Sequence, residues 1–155
     1  MTFFGKTRMK RKDNEMNTDK NTAILQNAKI DVKLRLAALW VAVMLLYLYV
    51  DHFALFMPGV LEDVIAGKMG PFPVTQGSLL AAMALMTVPI LMVFLSLALP
   101  AKANRWSNVV VGILYIVVVI GNVVGESWAF YLFGSLVEVV LLALVVWFAW
   151  KWPKQ

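Results

Sequence analysis

Asp51, His52 and Glu138 stand inside long apolar runs of this 155-residue chain. Placing a carboxylate near the centre of a membrane helix costs about 2.5–3.5 kcal/mol on insertion scales, so such a group seldom faces lipid and by default marks a functional position. A carboxyl kept neutral by its surroundings can donate a hydrogen bond to a ligand or release a proton. Helical spacing supplies partners for both acids. Tyr47 precedes Asp51 by four residues and shares its face. Tyr131, Gly134, Ser135 and Glu138 form one stripe, and Asn108, Gly112, Tyr115, Asn122 and Glu126 form another. The expected site is a small polar cavity around Asp51, Glu138, Tyr47, Tyr131 and Asn122, in the outer half of a helical bundle. It either binds or conducts a small solute or proton, or its groups hydrogen-bond one another and only set helix register. A contact between copies of the chain is the third reading.

Other chemistry is poorly supplied. The chain has no Cys, which removes thiolate metal sites and Cys nucleophiles. Its single His, His52, follows Asp51 directly and therefore points about 100° away from it on a helix. Di-iron carboxylate bundles need Glu-x-x-His on two helices, so neither a metal nor a cofactor is expected. No HExxH, GxSxG, Walker A or GxGxxG pattern occurs. The expectation is a protein that is not an enzyme, with the lipid bilayer, and no nucleic acid, as its partner.

The elements that must position these residues follow from composition. Hydrophobic residues make up 61% and charged residues 15%, with a mean hydropathy of +0.77. Soluble domains carry about 45–50% and about 25% respectively. Crossing about 30 Å of hydrocarbon takes about 20 apolar residues as helix, and four stretches qualify, at about 36–57, 78–99, 106–125 and 128–150. Backbone groups in lipid must satisfy themselves, and none of these runs shows the alternation of a barrel strand. The fold class is all-α, a four-helix transmembrane bundle in a membrane domain spanning 32–155.

An even number of spans puts both termini and the connection Pro100–Arg105 on one side. That side holds thirteen of the fourteen Lys and Arg, and Lys68 alone faces the other. The bias predicts cytoplasmic termini. Residues 1–31 read as a disordered basic tail, because they offer no core to bury. Met1, Met9 and Met16 are all available as starts. In the outward loop, Met57–Gly67 predicts a short interfacial helix with Val60, Leu61, Val64 and Ile65 on one face, and the following residues to Gly77 an irregular segment. Gly121 and Gly125 form a GxxxG spacing, which allows close packing of helices within the chain or between copies. Pro89 falls within the second span and frees a backbone carbonyl there.

The segment from Tyr47 through Asp51 to Pro58-Gly59, then Asn104-Arg105-Trp106, then Glu138 followed by Trp147-Phe148-Ala149-Trp150, resembles an uncharacterised family of small bacterial four-helix integral membrane proteins. The resemblance runs from Asp31 to Gln155. It implies a bacterial inner-membrane protein and no assigned activity. The architecture alone is also similar to that of DoxX-type membrane proteins.

Overall fold

The computed structural model describes residues 30–152. The expected basic tail and the three alternative starts lie outside the described residues, apart from the tail's last two positions. Four long helices make up the body: α1 (Val32–Ala54), α3 (Gln76–Ala98), α4 (Ala101–Val123) and α5 (Ala129–Trp150), with a short α2 (Val60–Ile65) between the first two. At 1.5 Å per residue the long helices measure roughly 33–35 Å, enough to cross a bilayer. All four are apolar enough to do so. Their outward faces are clad in Leu, Val, Ile and Phe, as a surface in contact with hydrocarbon must be. The chain is a multi-pass integral membrane protein.

Local signals set the helix ends. Asp31 caps α1, accepting from the Lys33 amide at 2.7 Å. Thr75 and Ser78 form a reciprocal capping box at the start of α3. Pro100 caps α4 directly, so α3 and α4 are separated by Leu99 and Pro100 alone. The third helix therefore starts five residues before the expected Trp106 and takes up Lys102, Asn104 and Arg105. A span read from its uncharged residues begins inward of the helix end, because a helix continues readily into the headgroup layer.

The long helices are arranged around the bundle in the order α3, α1, α5, α4. Neighbours pack along their length except at the last seam, where α4 meets α3 sparsely. Two close approaches use glycine. A Cβ on Gly134 of α5 would lie 2.5 Å from Val50 Cγ2 of α1, and one on Gly112 of α4 would lie 2.8 Å from Val146 Cγ2 of α5. The expected glycine pair does not act this way. Gly121 has nothing within 4 Å of its would-be Cβ, and Gly125 lies beyond α4 in a left-handed turn at φ +87°. That turn is where the chain reverses into α5, so the spacing combines two unrelated glycines.

One end of the bundle gathers the start of α1, the end of α3, the start of α4 and the end of α5. There Lys33 Nζ donates to the carbonyls of Leu97 and Leu99 at 3.2 and 2.8 Å, tying α1 to the open carbonyl end of α3. Arg35 lies over Phe148, Arg105 over Trp150 and Lys151 over Trp147, at 5.7, 5.3 and 3.9 Å from the ring centroids. We call this the termini end and the other the loop end. At the loop end Gly59 (φ +87°) admits α2 and Gly67 (φ +77°) stops it. The segment expected to be irregular instead forms a minimal antiparallel hairpin, β1 (Lys68–Met69) with β2 (Phe72–Pro73), turned at Gly70.

Candidate functional site

Two polar systems occupy the bundle interior, one toward each end. Toward the termini end, four side chains from three helices complete each other's hydrogen bonds. Asn108 Oδ1 accepts from Trp40 Nε1 at 2.7 Å and from Ser96 Oγ at 3.3 Å. The Asn108 amide donates to the carbonyl and the side-chain oxygen of Asn104 at 2.9 and 2.7 Å. Asn104 in turn donates to the Ser96 carbonyl. All four residues are fully buried. With its donors and acceptors matched, this cluster has no chemistry left to offer a ligand; it locks α1, α3 and α4 together. Of its members the polar stripes singled out only Asn108, and Asn104 entered through the Asn104-Arg105-Trp106 motif alone. Trp40 reads as one more apolar residue, Ser96 as a small one, and Asn104 as part of a loop.

The middle layer rests on a proline. Pro89 has no N–H, so the carbonyl four residues before it, Leu85 O, loses its helical partner. The Tyr115 hydroxyl of α4 donates to that carbonyl. This hydrogen bond holds together the sparsely packed seam between α3 and α4. The Tyr115 ring also meets Trp40 edge-on, at 6.2 Å and 87°. With Leu36, Val43, Leu142 and Val145, all fully buried, the two rings close the interior toward the termini end.

Toward the loop end the interior is different. Tyr47 and Asp51 from α1, Asn122 from α4, and Tyr131, Ser135 and Glu138 from α5 line one largely enclosed space of about 40 Å³. Val50 of α1, Leu85 and Met86 of α3 and Tyr115, Val118 and Val119 of α4 complete its wall. All five residues expected to form a site thus border the same space. They stand at graded depths. Asn122 is one residue from the end of α4, Tyr131 two residues into α5, and Asp51 three residues before the end of α1; Asp51 and Asn122 are exposed and Tyr131 is half-buried. Tyr47 is about 6 Å deeper along α1 than Asp51 and only 8% exposed. Glu138 stands deepest, nine residues into α5 and 3% exposed.

Among the described residues, Tyr47 Oη and Glu138 Oε1 are buried with no hydrogen-bond partner. A buried polar atom left unpaired costs about 1–3 kcal/mol, and here two of them face one space. By the roughly 10–15 Å³ that one water needs, the volume accommodates about three or four waters. One stripe member, Glu126, and the single histidine lie elsewhere. Glu126, beyond the end of α4, accepts from the amides of Ser127 and Trp128 at 2.9 and 3.2 Å and so shapes the turn into α5. His52 is exposed and packs beside Phe53 and Phe56, at ring-centroid distances of 5.9 and 5.5 Å. Asn108 and Gly112 serve packing.

The chain belongs to a family of unknown function: the model of that family, Family of unknown function (DUF6326), matches residues 25–155. No curated protein and no solved structure matches the chain.

Proposed function

We propose that this member of an uncharacterised membrane family is a non-enzymatic intramembrane binding protein, taking a proton or a water-sized solute from the loop end and holding it at Glu138. The observation that carries the reading is the pair of unpartnered buried atoms, Tyr47 Oη and Glu138 Oε1, on one small space. A protonated Glu138 has a donor to share and Tyr47 Oη can accept it through one bridging water. Asp51, Asn122 and Tyr131 form a polar approach from the loop end. The tightly packed layer of Trp40, Tyr115, Leu142 and Val145 closes the other side, so a single chain supports binding and release from one face. Passage across the bilayer would require assembly of several copies.

The same reading places the protein in the bacterial cytoplasmic membrane with both termini in the cytoplasm. Among the described residues the termini end carries Lys33, Arg35, Lys102, Arg105 and Lys151, and the loop end Lys68. The test uses the purified chain in liposomes and dicyclohexylcarbodiimide, a lipid-soluble reagent that adds to protonated carboxyls. The expected result is an adduct on Glu138 that is lost in Glu138→Gln and that forms less as the pH outside the loop end is raised. An unlabelled Glu138 would overturn it.

A second reading is an accessory or scaffold subunit whose buried polar residues only fix packing. The saturated Trp40–Asn108–Ser96–Asn104 cluster favours it for the termini half. For the loop half it predicts that Asp51→Asn and Glu138→Gln lower stability and change nothing else.

A further inference from the structure

The sparse seam between α3 and α4 leaves a groove of about 480 Å³ on the flank of the molecule, open sideways and lined by Val88, Leu91 and Leu95 of α3 and Trp106, Ser107 and Val110 of α4. It extends from mid-bundle to the termini end and is separate from the space around Glu138. Its floor is apolar, and it faces the hydrocarbon of one leaflet. Just beyond its termini end α4 carries a cation. Lys102 stands one helical turn before Trp106 on the same face, is exposed, and has no ion-pair partner among the described residues. Trp106, 54% exposed, sits at the level where an indole prefers the headgroup layer. Among the described residues, the termini end has one carboxylate, Asp31, and it is engaged with the Lys33 amide.

We infer that this groove is a binding site for one anionic phospholipid, with an acyl chain laid between α3 and α4 and the headgroup phosphate at Lys102. Charge favours this occupant over a second copy of the chain. Two copies meeting side by side in the same orientation along this seam would bring their Lys102 and Arg105 ends together. The groove on the other side of α3, between α1 and α3, supports no such site. It is lined by Val41, Leu45, Leu48 and Ile90 among others, and the lysine nearest its mouth, Lys33, already donates to the Leu97 and Leu99 carbonyls.

The experiment is native mass spectrometry of the full chain, released from liposomes of equal phosphatidylglycerol and phosphatidylcholine with matched acyl chains. One retained phosphatidylglycerol per chain is expected, preferred by about fivefold, the ratio corresponding to one lysine near an anionic headgroup. Lys102→Gln should bring the two lipids to near-equal retention. Val110→Trp, which fills the groove, should remove both. Val117→Trp, on the same helix two turns nearer the loop end and equally lipid-facing, should leave retention unchanged and so controls for folding. Equal retention of the two lipids by the native chain would overturn the site, as would undiminished binding in Val110→Trp. So would a disulfide between copies through Val110→Cys.

Discussion

Asn108 and Glu138 are both buried polar residues near the bundle axis, yet their surroundings assign them opposite roles. Asn108 uses both ends of its amide within the protein. Asn108→Ala would strand the Trp40 indole N–H and the Asn104 side-chain oxygen. It should lower the free energy of unfolding in mild detergent by about 2–6 kcal/mol, since each of the two groups left unpaired costs about 1–3 kcal/mol. Asn122→Ala, at an exposed position, should move it by less than about 0.5 kcal/mol. Glu138 has an unpartnered oxygen, so replacing its carboxyl by an amide affects what the space can hold more than how the helices pack. Comparable losses from Asn108→Ala and Glu138→Gln would make the two residues equivalent and favour the packing role for both.

At the scale of helices, Pro89 and Tyr115 form a unit that neither residue suggests alone. Tyr115→Phe leaves the Leu85 carbonyl without its partner and should cost about 1–3 kcal/mol. In a Pro89→Ala background the restored amide at position 89 can take that carbonyl, so the same Tyr115→Phe change should cost markedly less. A double-mutant cycle read by unfolding measures the difference; additive losses would mean that the proline and the hydroxyl are unconnected. Helix contacts also distinguish the glycines. Gly134→Ala should destabilise by about 1–3 kcal/mol, as overpacking does, because Val50 is stiff at χ1 and cannot turn aside. Adding Val50→Ala should recover much of the loss. Gly121→Ala, with open space around it, should be neutral or stabilising by up to about 1 kcal/mol.

For the whole molecule, the asymmetry of charge between the two ends is the feature from which the proposed orientation follows. The chain lacks Cys, so single cysteines report each end cleanly. Lys68→Cys should react with a membrane-impermeant maleimide in intact cells, and Ala103→Cys only after permeabilisation; the reverse pattern would invert the proposed topology. Four apolar runs of sufficient length, the one-sided placement of Lys and Arg, and the short α2 were all legible from the residues in order, because hydrocarbon thickness, backbone satisfaction and helix-ending glycines act locally along the chain. Stripes at helical spacing also pointed to Tyr47, Asp51, Asn122, Tyr131 and Glu138, since each helix must turn its polar face away from lipid. What the tertiary structure alone decided is which polar groups find partners. Trp40, Ser96 and Asn104 look unremarkable in the sequence and become a closed hydrogen-bonded lock, while the Leu85 carbonyl acquires its partner from another helix. The order of helices around the bundle likewise left one seam sparsely packed and the other three well packed, because burial and pairing are properties of neighbours distant in the chain.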